Sequence, residues 1–182
     1  EQLVESFTLD RVSKAGAKFD PDKTKWFQQQ YLKATSNEDL AQMLKSEFNL
    51  AENDEKLAQF CHLMKERATF VKDMMSEGAY LLNKPAAYDE QTVSKKWKED
   101  SKVLMSEWQN KLEALAAFDP ATIEAAFKSF LEEKSLGIGA VLPLFRLLVT
   151  GAGTGPSMFE IASFLGKEEC LNRMTDGLAT LG

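Results

Sequence analysis

The sequence predicts an all-α protein: two packed helical-bundle subdomains and no sheet. Three observations carry this. Apolar residues recur at helical spacing almost throughout: Ile123, Ala126, Phe127, Phe130 and Leu131 form one stripe, and Leu57, Phe60, Cys61, Met64, Ala68 and Val71 another. No stretch alternates apolar and polar residues for long enough to make a strand. Capping residues and glycines then cut the pattern into short pieces.

The elements follow in order. A short helix over 9–15 ends at Gly16. Asp20-Pro21 supplies a cap acceptor and a first-turn proline for a helix over 21–34. Ser36-x-x-Asp39 resembles a capping box, with Asp in the usual Glu or Gln place, and opens 37–48. Asn53-Asp54 caps 54–67, and a further helix covers 69–77. Helices over 89–99 and 101–117 precede Asp119-Pro120, which opens 120–136 before Gly137. Helices over 139–149, 157–165 and 167–180 complete the chain, with Gly166 between the last two. The segment 78–89, with Gly78 and Asn83-Lys84-Pro85 and few charges, reads as a seam. It divides the chain into subdomains 1–78 and 79–182, expected to pack together as a rigid rod because neither half alone buries much core.

The 182 residues are 44% apolar and 27% charged, which suits one packed globular unit. Cys61 and Cys170 make no disulfide framework and lack metal-ligand spacing, so a reduced, cytoplasmic setting without a bound metal is expected. His62 is the single histidine, which excludes a His-pair metal site. No apolar run approaches the ~20 residues of a membrane span; the densest, 141–149, carries Pro143 and Arg146. Glu1-Gln2-Leu3-Val4 does not read as a signal peptide, and the missing first Met reads as a fragment.

The net charge is −6, and residues 1–79 and 80–182 each hold 11 basic and 14 acidic side chains. A polyanion would therefore need a local basic face, and DNA is not an expected partner.

The most informative segment runs from Leu142 to Phe159. An apolar helix carrying one arginine, Arg146, stops at a loop with Gly151, Gly153 and Gly155. Pro156 or Ser157 starts another helix. Glycines let backbone amides approach a planar group or a phosphate closely, and an arginine offers five donors in a fixed fork. The competing reading is a plain helix–loop–helix corner with a structural salt bridge. The glycine spacing is neither G-x-G-x-x-G nor a P-loop, since no strand precedes it and no Lys-Ser/Thr follows. Arg11-Val12-Ser13-Lys14 faintly resembles the K-M-S-K loop of class I synthetases, but one histidine cannot supply the companion H-I-G-H.

Cys61 and His62 are adjacent on a helix and point apart, so they form no catalytic dyad. Glu132-Glu133 and Glu168-Glu169 read as solvated faces. Met74-Met75 and Trp97 are assigned to the core. Trp26 and Trp108 have the chemistry to stack on a base, although a tryptophan on a helix is more often buried.

Phe7 to Asp20 resembles the segment after the K-M-S-K loop of bacterial glutamyl-tRNA synthetases, and Lys25-Trp26-Phe27-Gln28-Gln29-Gln30-Tyr31-Leu32 resembles their K-x-W-x-N-x-x-Y-[IL]. Arg146 to Gly151, Gly155-Pro156-Ser157-Met158-Phe159-Glu160-Ile161 and Leu165-Gly166-Lys167-Glu168 resemble their R-x-A-L-T-G…P-x-L-F-E-I…L-G-K-E. Leu171-Asn172-Arg173-Met174 matches L-x-R-[IL]. In order and spacing these motifs span residues 7 to 174.

The resemblance implies the carboxy-terminal, all-helical anticodon-binding region of such an enzyme, without its catalytic domain. The whole ligase would join glutamate to tRNA(Glu) with ATP and Mg²⁺. This fragment would bind tRNA as a monomer, hold no cofactor, contain no catalytic residue and contact no membrane. By family position the anticodon readers fall on Arg67, Arg146, Gly155, Pro156 and Met158. Gln28 stands for a frequent Asn, Val149 for Leu, and Gly155 and Met158 for Thr and Leu of some relatives. An anticodon loop splays its bases, so reading it takes a few arginines, close backbone and apolar surface rather than a strongly basic chain. The rival is a helical protein-interaction module with no RNA role. The first reading places Arg67, Arg146 and the loop 151–158 on one face; the second calls for a contiguous exposed apolar patch.

Overall fold

Asp20 opens the first long helix of the computed structural model, which describes residues 4–5, 7–9, 16 and 18–181. Helix α1 is Pro21–Ala34, and the Asp20 carboxylate accepts from the amides of Asp22 and Lys23. Helix α2, Asn37–Phe48, starts at Ser36, whose hydroxyl accepts from the Asp39 amide at 3.1 Å. Asn53 does the same for α3, Asp54–Met64. Helix α4, Val71–Leu82, is capped in reverse: the Asp73 carboxylate accepts from the amides of Thr69 and Phe70. Helices α5, Glu90–Lys96, and α6, Ser101–Glu113, lead to α7, Pro120–Lys134, which Asp119 caps. Helices α8, Ile138–Thr150, α9, Met158–Leu165, and α10, Lys167–Leu181, follow. The described residues contain no strand, as the periodicity requires. From Asp10 onward the expected helix over 9–15, including the Arg11–Lys14 segment, lies outside the described residues.

Several expected boundaries move: the helices expected over 89–99 and 101–117 end at Lys96 and Glu113, and two other shifts have a packing reason. The helix from Asp54 stops at Met64, three residues early. The turn that follows brings Ala68 back into the core at 2% exposure and leaves Arg67 on its outside. Helix α4 runs straight through Gly78, which is a crossing point rather than a stop. A Cβ at Gly78 would lie 2.9 Å from the Phe60 ring and 3.0 Å from Met64, so the glycine lets α4 sit close on α3. Helix α7 ends at Ser135 rather than Gly137.

One apolar cluster runs from Leu32 on α1 to Leu178 on α10. Trp108 lies at its heart, with Phe127, Phe130 and Phe145 at ring-centroid distances of 5.1, 5.5 and 5.6 Å. Edge-on and tilted aromatic contacts of this kind add to plain area burial. Helices α2 and α3 form an antiparallel hairpin, and α9 packs on α3, α4, α7, α8 and α10, so it joins the early helices to the late ones. Trp97 and Met75 pack against the cluster and Met74 lies within it.

Trp26 departs from expectation. It is 55% exposed because α1 meets the remainder only near its end, through Leu32, a Lys33–Glu66 ion pair and the Lys65 ammonium on the Thr35 carbonyl. With Phe27 and Tyr31 it leaves an aromatic cluster on the α1 surface. Among the described residues no helix is long and apolar enough to cross a membrane.

Candidate nucleic-acid interface

The site is assembled at the end of α8. That helix is apolar and wholly buried from Leu144 to Thr150, except that position 146 is an arginine. Pro143 inside it cannot donate to the Gly139 carbonyl, and the Lys96 ammonium reaches that oxygen instead at 3.4 Å. The helix terminates at Gly151, whose φ of 71° is left-handed. A side chain at Gly151 would also strike Pro85 and the Ala87 carbonyl, so strain and space both require glycine. The Asp89 amide donates to the Gly151 carbonyl at 2.8 Å, which fastens the loop to the segment before α5.

From there residues 152–157 fold back over Arg146. Its Nη2 donates to the Pro156 carbonyl at 2.6 Å. A Cβ on Gly155 would lie 2.6 Å from Arg146 Nη1 and 2.9 Å from the Tyr80 hydroxyl. Arg146 is 9% exposed as a residue, and its Nη1 is buried with no acceptor. No carboxylate pairs with it among the described residues, so the structural salt bridge of the competing reading is not what is seen. Burial depresses the guanidinium below its ordinary value, the Tyr80 phenol opposes this, and the charge of Arg67 adds to it. Arginine remains charged at neutral pH through such shifts. The Tyr80 phenol is raised by burial and lowered by Arg146 and Arg67 in turn, so it is a neutral hydroxyl.

Arg67 is exposed in the turn between α3 and α4, and its charge is felt by both Arg146 and Tyr80. The fold thus brings Arg67, Arg146, Gly155 and Pro156 together. It does not offer Met158, which is 1% exposed in the core below the loop. Any ligand contact at that position is confined to the backbone, which corrects the expectation of an apolar side-chain face. Tyr80 was missed: a tyrosine in a helix carries no signal of its own, and only the packing of α4 beside the loop brings it here.

Arg173, part of the last sequence motif, is a fastener. It is 3% exposed, pairs with Glu169 at 2.7 Å, and donates to the carbonyls of Tyr80 and Val149. It thereby ties the ends of α4 and α8 to α10.

On the far side of the glycine loop lies a cavity of about 360 Å³, lined by Gln91, Thr92, Lys95, Lys96, Gly153 and Thr154 among others. A larger one, about 570 Å³, sits at the α2–α3 hairpin among Glu38, Asp39, Asp54, Glu55 and His62. It shares no residue with the arginine site, and its carboxylates repel a phosphate. Cys61 and Cys170 are free and buried, and burial pushes both thiols up to about 12, too high for a nucleophile at neutral pH.

Residues 38–178 match the anticodon binding domain family. The chain is 40% identical over 184 aligned residues to glutamate–tRNA ligase of Flavobacterium johnsoniae, and 39% to that of Phocaeicola vulgatus. In each case it is covered completely and spans 36% of the relative. It superposes on a glutamate tRNA ligase of Elizabethkingia meningosepticum with a TM-score of 0.90 at 36% identity, covering all of this chain and 36% of that one. For the glutamate-tRNA synthetase of Elizabethkingia anophelis the TM-score is 0.83 at 34% identity, over 97% of this chain and 35% of that one. An all-helical fold shared with these enzymes, and a family match over most of its length, make this chain a member of the anticodon binding domain family.

Proposed function

We propose that this chain reads the anticodon of tRNA(Glu), as the carboxy-terminal part of a monomeric, cytoplasmic glutamate–tRNA ligase. One observation carries the reading. Arg146 is buried without a carboxylate, holds one unpartnered donor, and lies beside Arg67 and the Gly155–Pro156 backbone. A buried donor without an acceptor is costly, and a base edge supplies the acceptor. Glutamate codons require U in the middle of the anticodon and C at its third position, and both bases present carbonyl or ring-nitrogen acceptors to an arginine fork. Early and late helices act jointly in this reading, Arg67 coming from the turn between α3 and α4 and Arg146 from α8. ATP and Mg²⁺ serve the ligation reaction of the whole enzyme, and this chain's own residues only bind and discriminate. A titration of the chain against tRNA(Glu) and one unrelated tRNA tests the reading. Tighter binding of tRNA(Glu) is the expected outcome, and equal affinities would refute it.

The protein-interaction alternative has one supporting feature, the exposed Trp26, Phe27 and Tyr31 on α1. These residues lie on a different element from the arginine site. A protein contact there is compatible with RNA reading, since relatives extend well beyond the 36% this chain spans.

A further inference from the structure

Resting on the anticodon-reading proposal, we infer that the cavity beyond the glycine loop is a seat for one phosphodiester of the bound RNA, held by Lys95 and Lys96. Lys96 is anchored there without being neutralised. Pro143 in α8 has no N–H for the Gly139 carbonyl, and the Lys96 ammonium donates to that oxygen at 3.4 Å. A carbonyl is neutral, so the ammonium keeps its full charge and further donors. Lys95 is the second cation in the lining, and among the described residues it pairs with no carboxylate. Another wall is the loop itself. A Cβ on Gly153 would stand 2.3 Å from the Thr92 hydroxyl oxygen, so the loop sits against α5 with no slack. Among the described residues the amides of Gly153 and Thr154, which both line the cavity, find no acceptor.

The lining decides the ligand. Among the described residues it offers no aromatic ring and no guanidinium plane for a base to stack on. Its ammonium groups suit an anion, and lysine holds phosphate as a point charge. Asp89 is the carboxylate in the lining. It accepts from the Thr92 hydroxyl and, at 2.7 Å, from the Thr92 amide, and these bonds, with the charge of Lys95, hold its carboxyl below the ordinary range. Its oxygens are thus engaged in capping α5, and the two lysines outnumber it. At about 360 Å³ the cavity has room for a phosphate group and its water. An anticodon loop splays its bases away from its backbone. With Arg146 under one side of the glycine loop and the lysines on the other, bases and backbone have separate places to go. A contact of this kind fixes register and carries no base information.

Methylphosphonate substitution tests the seat, because it neutralises one phosphate at a time and leaves every base in place. Anticodon stem–loops of tRNA(Glu), each with one loop phosphate so neutralised, are titrated against the parent chain and the Lys95→Ala/Lys96→Ala variant. The parent is expected to lose roughly 3- to 10-fold at one phosphate, the worth of a charge-assisted contact. The variant is expected to lose as much with the unmodified hairpin and to be indifferent to neutralisation at that phosphate. Lys95→Arg/Lys96→Arg keeps both charges and is expected to restore the parent's map. A parent insensitive at every phosphate, or a variant that keeps the parent's map, overturns the assignment. Inorganic phosphate at constant ionic strength is the free-anion arm. Saturable micromolar binding that the variant loses would make the cavity a free-phosphate site and overturn the RNA assignment; none is expected. Should the double variant disturb α8 by circular dichroism, Lys95→Ala alone is held to the same criteria. A parent that binds the hairpin and its anticodon-altered form alike refutes the anticodon reading, and the phosphate map then still decides the seat. A parent that binds neither refutes both.

Discussion

Arg146 and Arg173 are both buried arginines in the same part of the fold, and they do opposite work. Arg173 has Glu169 and two carbonyls as partners, whereas Arg146 has one carbonyl and an orphaned nitrogen. Arg173→Met breaks a buried ion pair and leaves carbonyls of α4 and α8 unsatisfied, so it is expected to lower stability by about 3 kcal/mol. A urea midpoint close to the parent's would contradict that role. Arg146→Met removes an unsatisfied donor and exposes the Pro156 carbonyl to water, so its stability should stay within about 1 kcal/mol of the parent. Binding shows the reverse: Arg146→Ala and Arg67→Ala are each expected to cost roughly 1–3 kcal/mol against tRNA(Glu). Each should also narrow the gap to a tRNA altered in the anticodon, whereas a phosphate contact would weaken both alike. Uniform loss in both variants would reassign them as phosphate contacts. Arg146 stands out in the sequence as a lone fork in an apolar helix beside a glycine loop, whereas Arg67 is nominated only by its position in the family resemblance. The placement of Tyr80 is not legible there, because its hydroxyl meets Gly155 only through the packing of α4 against the loop.

At the scale of elements, helix starts were far more legible than helix ends. A start is written locally: Asp20-Pro21, Ser36, Asn53 and Asp119 each cap the helix expected of them. An end depends on what the next residues find to pack against. Gly78 illustrates this, since the same glycine that resembles a stop is needed where α4 crosses Phe60 and Met64. Ser135 shows a different, conformational cost of an end. It closes α7 with a φ of 52°, a left-handed conformation that a residue with a Cβ adopts at a cost. Ser135→Gly is therefore expected to raise stability by about 0.5–1 kcal/mol after the greater chain entropy of unfolded glycine is subtracted. At Gly151 the opposite substitution combines left-handed strain with collisions against Pro85 and Ala87. Gly151→Ala should cost about 2 kcal/mol or more. Thermal melts of the two variants should move in opposite directions, and a shared direction would contradict the left-handed argument.

For the whole molecule the question is how a chain of net charge −6 would hold the RNA proposed for it. Charge is segregated locally rather than between halves, as the identical balance of residues 1–79 and 80–182 requires. Many cations are neutralised where they stand: Lys33, Lys45, Lys84, Lys111, Lys128 and Lys134 each pair with a carboxylate. Acidic residues collect at the α2–α3 hairpin. Arg67 and Arg146, and Lys95 and Lys96 beside the glycine loop, make no ion pair among the described residues. Other described lysines, among them Lys56, Lys72, Lys98 and Lys102, also make no ion pair; Lys95 and Lys96 are the two that line the cavity beside the loop, together with Asp89. An RNA bound there releases few counterions, and log affinity falls by about 0.7–0.9 per neutralised phosphate as log salt rises. The expected slope for tRNA(Glu) corresponds to ~2–4 phosphates. Replacing Lys95 and Lys96 with Ala should weaken cognate and anticodon-altered tRNA equally and reduce the slope by about 1–2. The arginine variants should change discrimination and leave most of the slope in place. A parent slope of eight or more phosphates would require a basic track extending well beyond the residues at the loop. A double-lysine variant that altered discrimination would move base reading to the other side of the loop.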